Sequence, residues 1–416
     1  MTSRATTPAG TPLRSPRSAV QLLLDRDFGG LFWGKVISIV GVWAFSVAAA
    51  IAVFDATGST LAVGLVAGAQ FVPQLVLAPL SGTWADRGDP RRQIILGRLL
   101  CLVGAGGLAL WVQLVAPTGW ALAVAVLLGS LTVGFGFSIG GPAMQSVTPR
   151  LVSRDELPRA MGLNTAPMTV ARVVGPVVGA ALVAAMGPAA GIAVAALGQL
   201  VFLLLLLAVR IPANEPRAAD TDYSVGAAWR HVRSDPGLLL LLLAVTAVTF
   251  GAEPSITLAP ALSADLGHGA EMVGALTATF GVGSAVGLLL ASWLGRPERT
   301  VLLLLIGLGG LTVGMGTAAA LPWLGGALAG FAIAGAGFTI GVTSVSTAVL
   351  LRVPGHLRGR VMAFWMICFV GFRPVASALV GVVADAASVR WAIVTMVLVT
   401  AAAMIAITRR RSLVSA

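Results

Sequence analysis

The sequence predicts an all-α membrane protein with twelve transmembrane helices in two pseudo-symmetric six-helix bundles. The first indication is composition: of 416 residues, 57% are hydrophobic and 10% are charged, with a mean hydropathy of +0.94, whereas a soluble domain carries about 25% charged residues. The second is that long apolar runs recur between short polar breaks, and many reach the roughly 20 residues that span a bilayer. The third is an internal repeat that divides the chain into matching halves.

The repeat is clearest in two apolar stretches, 159–180 and 360–381, which read RAMGLNTAPMTVARVVGPVVGA and RVMAFWMICFVGFRPVASALVG. Three pairs of residues match at one constant offset: Arg159 with Arg360, Met161 with Met362, and Arg172 with Arg373. Six spans return the chain to its starting side, so two such halves share one orientation. Parallel repeats of this kind are typical of transporters whose substrate site lies between the halves, near the middle of the bilayer.

Each apolar run is assigned to one span, and the polar breaks are assigned to loops and tails. The predicted spans lie near 29–54, 59–81, 93–115, 119–145, 159–186, 188–209, 237–262, 269–294, 300–320, 323–348, 360–384 and 389–408. The predicted domains are a cytoplasmic tail (1–28), a first bundle (29–209), a cytoplasmic linker (210–235), a second bundle (236–408) and a cytoplasmic tail (409–416).

The net charge of +11 comes from 27 lysines and arginines, which concentrate in the tails and the even-numbered loops. This bias predicts a multi-pass protein of the cytoplasmic membrane with both termini in the cytoplasm. Basic residues do not alternate with aromatic ones as in a nucleic-acid site, so the expected partners are the lipid bilayer and a small-molecule substrate. Cys101 and Cys368 fall in spans of different halves, which predicts no disulfide and no metal site. Without a phosphate-binding Gly-Lys-Ser/Thr loop, we expect no cofactor, no direct use of ATP and no enzymatic activity.

The loop after the second span carries a recognisable pattern, Gly82-Thr-Trp-Ala-Asp86-Arg87-Gly-Asp-Pro-Arg91-Arg92. It resembles the signature of the major facilitator superfamily, in the form found in the subgroup of enterobactin exporters and macrolide efflux pumps, although Asp89 stands where the broad pattern has its second glycine. The resemblance implies a monomeric transporter and suggests a drug:proton antiporter.

A cytoplasmic gate is the physical role predicted for this loop. The Asp86 carboxylate can accept charge-assisted hydrogen bonds from Arg91, Arg92 or a helix end of the other half. Such contacts would hold the cytoplasmic side shut and break when it opens; the alternative is a solvated turn with anchoring arginines. Arg98, one turn into the third span, either joins this cluster or extends to the lipid surface.

The fifth span is predicted to be one helix that packs closely against a neighbour and bends at its internal proline. It resembles the antiporter motif of the same superfamily, which implies export by exchange. The residues that match are Gly162, Gly175, Pro176 and Gly179, while Ala171 and Ala180 replace two glycines of the pattern.

Glu253 is the only carboxylate placed well inside a predicted span. Ionisable residues within a membrane are candidates for function, so we expect Glu253 to take up and release the coupling proton. The alternatives are a static partner for Arg172 or Arg373, or a carboxyl that extends to the outer face.

Several other residues are candidates for a central cavity. Arg172 and Arg373 would contact an anionic substrate, pair with Glu253, or form a purely structural salt bridge. The remaining candidates are Gln70, Gln74 and Asn164, which could bond a substrate or a neighbouring helix, and Phe250, which could form an apolar wall.

These features together predict a secondary active transporter that exports small amphipathic molecules, such as a drug, siderophore or secreted metabolite, by alternating access in exchange for protons. An importer or uniporter of the same fold is the first alternative. The second is a membrane receptor or assembly factor without transport.

Overall fold

The computed structural model describes residues 17–153, 155–164, 166–211, 225–354 and 357–414. In this part of the chain the secondary structure is helical, without strands, and twelve helices are long and apolar enough to cross a membrane. The spans are Arg26–Thr57, Thr60–Leu77, Pro90–Val115, Gly119–Arg150, Arg159–Met186, Pro188–Ala208, Pro236–Thr257, Ala270–Leu294, Thr300–Ala320, Leu324–Arg352, Arg360–Ala386 and Val389–Arg409. Short helices at Ala19–Leu24, Val225–Ser234 and Arg411–Val414 lie outside them. The predicted fold class is confirmed.

The start of the first span and the end of the twelfth lie on one side because the number of described spans is even. We call this the terminal side and the opposite one the distal side. The first span begins at Arg26, slightly before its predicted start, because the Asp25 carboxylate accepts hydrogen bonds from the backbone N–H groups of Asp27 and Phe28 at 3.0 and 2.8 Å. Side-chain caps of this kind stabilise a helix start.

The two halves repeat their internal packing. A Cβ atom added to Gly97 of the third span would lie 2.5 Å from the Gly136 oxygen in the fourth. In the second half, a Cβ added to Gly307 of the ninth span would lie 2.4 Å from the Gly341 nitrogen in the tenth. Glycine at corresponding places lets each pair of helices approach backbone to backbone.

Four spans consist of separate helical pieces, each interrupted before a proline. The second span divides into Thr60–Ala69 and Val72–Arg87, and the fifth into Leu157–Leu163 and Ala166–Met186. The seventh and its extension consist of Pro236–Ala252, Pro254–Thr257 and Ala259–Asp265. The eleventh consists of Arg358–Met366, a π-helical turn at Ile367–Gly371, and Arg373–Ala386. The prolines are Pro73, Pro167, Pro254 and Pro374, which have no N–H to continue the preceding helix. The prediction of one unbroken fifth helix is therefore wrong at Asn164, although the chain stays helical through Pro176.

Ion pairs lie at the terminal side of each half, at or beyond the ends of the spans. In the first half, Arg17 donates to Glu156 at 2.8 Å and holds the pKa of that carboxyl well below its usual range, although burial opposes the shift. In the second half, burial alone would raise the pKa of Asp235, but hydrogen bonds from Arg352 at 2.5 Å and from the start of the seventh span hold it below its usual value. These contacts stabilise the fold above the usual carboxyl pKa and weaken only as the pH falls below it.

Candidate functional site

A cavity of about 420 Å³ lies between the two halves. The first half contributes side chains from Trp43 of the first span and Gln70 of the second, and the second half contributes Phe280 and Phe338 of its eighth and tenth spans. Its position between pseudo-symmetric bundles is where transporters of this plan bind substrate.

The interrupted helices meet at this cavity. Gln70, Asn164 and Phe369 line it, and each lies at a break in its span. Irregular backbone at membrane depth is tolerated where it is buried in protein or lines a cavity. The prolines therefore place polar groups and backbone ends at the cavity wall.

Glu253 lies behind the cavity wall, at the break in the seventh span, and is 2% exposed. One of its oxygens accepts a hydrogen bond from Arg373 Nε at 3.1 Å, and the other accepts one from Thr257 Oγ1 at 3.0 Å. The Arg373 guanidinium also lies 4.2 Å from the centre of the Phe71 ring, which belongs to the other half. Glu253 and Arg373 thus lie together at the boundary between the two halves.

Arg172 lines the cavity from the fifth span without an acidic partner. Its guanidinium carbon lies 4.6 Å from the centre of the Phe338 ring and 5.4 Å from that of Trp43. Among the described residues nothing accepts a hydrogen bond from its buried Nε atom. Of the two matching arginines, only Arg373 forms the ion pair with Glu253.

The predicted polar residues form short networks at the cavity wall. Gln70 accepts a hydrogen bond from Ser46 at 3.1 Å. Asn164 accepts one from Lys35 at 2.7 Å and donates one to Gln145 at 3.1 Å. Gln74 also lines the cavity.

Phe250 is not among the described lining residues of the cavity, because its side chain packs against the core of the second half. Lys35 and Trp43 were missed by the sequence reasoning. Lys35 is buried and faces the cavity, and the available signal was that it is the only lysine in the chain and falls inside an apolar span.

The halves meet closely on the distal side of the cavity. Asp385, at the end of the eleventh span, accepts hydrogen bonds from Ser59 Oγ at 2.7 Å and from the backbone N–H groups of Thr60 and Leu61 at 2.7 and 3.1 Å. It thereby caps the second span of the opposite half, where a helix start favours a negative charge. Below this cap, a Cβ added to Gly64 would lie 2.3 Å from the Ser377 oxygen.

The predicted gate is only partly described. Gly82, Asp86 and Arg87 lie on the helix Val72–Arg87, but their side chains are outside the described part of the structure. Arg91 donates to the Leu206 carbonyl at 3.1 Å, and the exposed Arg92 pairs with Asp89 at 3.4 Å. Both arginines therefore bind groups of their own half here.

Arg98 neither joins that cluster nor extends to the lipid surface. It is fully buried (0% exposed), donates to Ser38 Oγ at 2.9 Å and to Gln199 at 3.3 Å, and lies over the Phe137 ring at 4.5 Å. Both sequence-based alternatives are wrong because neighbouring helices of the first half enclose the side chain. Its Nε and Nη2 atoms have no hydrogen-bond partner in the described structure.

The small residues of the fifth span divide into two groups. A Cβ added to Gly175 would lie 2.5 Å from Trp43 Cβ, and one added to Gly179 would lie 2.3 Å from the Ala44 oxygen, so both positions pack closely against the first span. A Cβ added to Gly162 would meet nothing within 4 Å. Pro176 is buried, and its carbonyl approaches Gly274 of the other half.

Comparison with known proteins identifies the family of this chain. A family model described as "Transmembrane secretion effector" matches residues 18–414. The chain belongs to this family. The resemblance to the major facilitator superfamily, noted in the loop after the second span, is confirmed, and the protein is a multi-pass membrane transporter rather than an enzyme.

Two curated relatives and two solved structures illustrate the likeness. The enterobactin exporter EntS of Citrobacter koseri is 30% identical over 364 residues and that of Salmonella typhi is 29% identical over 362, each match covering 85% of this chain and 84% of the relative. A bacterial homologue of the human lysosomal transporter Spinster, in an inward-facing and unoccupied conformation, has a TM-score of 0.69 at 18% identity and covers 93% of this chain and 95% of its own. A bacterial homologue of the iron transporter ferroportin, in an inward-facing state, has a TM-score of 0.69 at 16% identity with 95% and 100% coverage. At these identities the solved structures support the fold.

Proposed function

We propose that this protein exports small amphipathic molecules by alternating access, in exchange for protons. The single observation that carries the proposal is the buried Glu253–Arg373 pair beside a cavity between the two halves. Around it, contacts between the halves close the distal side. A rocking motion that breaks those contacts would expose the same cavity to the other side.

Proton exchange follows from the chemistry of that pair. A proton bound to Glu253 removes the charge that holds Arg373, and its release restores the pair. A transporter that binds the proton on one side and releases it on the other thus has two arrangements of the pair to alternate between. Substrate leaves when the proton enters, which gives export by exchange.

The orientation rests on the distribution of basic residues. The positive-inside bias supports a cytoplasmic terminal side. In this orientation the cap at Asp385 would close the outside. We further propose that the loop 82–92 closes the cytoplasmic side in the opposite state, with Asp86 accepting hydrogen bonds from Arg91 or Arg92 once these leave their present contacts.

The relatives named enterobactin exporters support export of a siderophore, drug or secreted metabolite. An importer or uniporter is the alternative. Independence of Glu253 would indicate a uniporter, and substrate movement in the same direction as the proton would indicate an importer. The working unit is proposed to be the monomer, since one chain holds both halves of the cavity.

The test is transport in proteoliposomes that contain the purified protein and a panel of dyes and antibiotics, with and without an imposed pH gradient. The substitution Glu253→Gln keeps the shape and removes the titratable charge. We expect it to reduce the gradient-driven component by about tenfold or more, since its protonation no longer changes. Glu271→Gln is the control because it removes an exposed acid at the distal end of the eighth span. Gradient-driven export that is equal in Glu253→Gln and the parent would exclude Glu253 as the coupling site.

A further inference from the structure

The charges around the cavity are unbalanced. Lys35, Arg172 and Arg373 line it, whereas no aspartate or glutamate is among its described lining residues. Cations at membrane depth are unfavourable unless they are paired or hydrated, so such an excess indicates a missing anion.

The three cations differ in how they are satisfied. Arg373 is neutralised by Glu253, whose second oxygen is occupied by Thr257. Lys35 donates to Asn164, a neutral amide that offers hydrogen bonding without an opposite charge. Only Arg172 has neither an ion pair nor a hydrogen bond to any residue the structure describes.

Arg172 is nevertheless held in place. Trp43 of the first half and Phe338 of the second flank its guanidinium at 5.4 and 4.6 Å, which fixes the group by cation–π contact. Aromatic contact leaves the planar N–H donors of a guanidinium free for hydrogen bonding. A positioned donor group at a cavity wall, with no acceptor of its own, is suited to binding a ligand.

We propose that Arg172 binds an acidic group, such as a carboxylate or sulfonate, on the transported molecule, whose apolar body lies among the cavity's aromatic side chains. The proposal rests on the proposed function, because it takes this cavity to be the substrate site. A guanidinium binds a carboxylate or sulfonate through two parallel hydrogen bonds, and this is stronger in a low-dielectric cavity than in water. The same excess of positive charge disfavours cationic drugs.

A purely structural role for Arg172 would be to join the halves through Trp43 and Phe338. The structural role and anion binding predict different effects of substituting Arg172. A structural link would affect every ligand equally or lower stability, whereas an anion site discriminates between ligands by charge alone.

The experiment uses two fluorescent probes with the same ring system. 1-Anilinonaphthalene-8-sulfonate is anionic, and N-phenyl-1-naphthylamine lacks the sulfonate. Saturable binding of each is measured by titration of the full-length protein in nanodiscs, with empty nanodiscs as background. The variants are Arg172→Gln, Arg172→Lys and the control Arg409→Gln, which removes an exposed charge at the end of the twelfth span.

We expect Arg172→Gln to weaken binding of the sulfonate about tenfold or more, the effect of losing hydrogen bonds to a charged group. Arg172→Lys keeps the charge but loses the paired geometry, so its loss should be smaller. The neutral probe should bind all variants alike, and Arg409→Gln should match the parent. Because Arg172→Gln removes no ion pair or hydrogen bond among the described residues and loses only the contacts with Trp43 and Phe338, its thermal unfolding midpoint should stay close to that of the parent.

Equal losses for both probes, an unchanged affinity of Arg172→Gln for the sulfonate, or the absence of saturable sulfonate binding by the parent would each overturn the proposal. Transport is scored separately. Arg172-dependent sulfonate binding in a protein that moves no compound across the membrane would leave the anion site standing and remove the export function.

Discussion

At the scale of single residues, the proposed mechanism depends on which arginine neutralises Glu253. The sequence identifies one acid and two matching arginines, but it gives only their depth along the helices. Rotation about the helix axis decides which side chains meet, and the π-helical turn before Arg373 changes that rotation in the eleventh span. Arg373 consequently reaches Glu253, while Arg172 lies between two rings.

The ion pair between Arg373 and Glu253 is expected to contribute to stability. Arg373→Gln leaves a buried carboxylate unpaired, and breaking a buried pair from one side costs roughly 3–5 kcal/mol. The double variant Arg373→Gln/Glu253→Gln removes both charges and should recover most of that loss. Thermal unfolding in detergent measures both; a double variant less stable than the single one would show that the two charges do not compensate each other.

The surroundings of Arg98 and Lys35 could not be predicted from the sequence. Both lie near the start of a span, which predicts side chains that extend to the surface. The structure buries both because other helices of the first half cover that depth. Sequence position gives distance from the span end, but not which neighbours enclose a side chain.

At the scale of helices, the prolines mark the places where four of the spans are interrupted. The predicted bend at Pro176 stays a prediction, and the helix continues through this residue. The actual interruptions precede Pro73, Pro167, Pro254 and Pro374. A span tolerates a proline both within a continuous helix and at an interruption. An interruption is tolerated where the backbone lines a cavity.

Close packing between the second and eleventh spans makes a prediction for the distal closure. Gly64→Ala places a Cβ atom 2.3 Å from the Ser377 carbonyl oxygen, so the two helices must separate. We expect the variant to favour a state open on the distal side. The measurement is labelling of a cysteine at Ser46, which lines the cavity, by a membrane-impermeant maleimide applied from that side, with Cys101 and Cys368 replaced.

Gly107→Ala is the matched control, since a Cβ there meets nothing within 4 Å. Its labelling should equal that of the parent. Labelling of Gly64→Ala no faster than in this control would mean that the contact between these spans does not hold the distal side shut.

At the scale of the whole molecule, the twelve spans and two parallel halves were predictable because composition, run length and repeat all report on the chain itself. Arg172 lines the cavity as predicted, whereas the placement of Phe250 and the choice of Arg373 as the partner of Glu253 were not predictable, because they depend on how the helices are rotated and packed. The distal cap by Asp385 was also missed: its sequence position at a span end indicates solvent, whereas the partner helix supplies three hydrogen bonds.

The central claim is that the two halves rock about one cavity, so that one side closes as the other opens. Two pairs of spin labels can follow this motion in a background without Cys101 and Cys368. The distal pair joins Asp55 and Ala387, and the terminal pair joins Met161 and Trp293; all four positions are exposed.

Double electron–electron resonance distances between these labels, measured in nanodiscs with and without a transported compound at two pH values, test the claim most directly. We predict that any condition that lengthens the distal distance shortens the terminal one, and that Glu253→Gln, which mimics the protonated acid, makes the populations insensitive to pH. Distances that rise and fall together, or that stay fixed in a protein that transports, would contradict alternating access in this molecule.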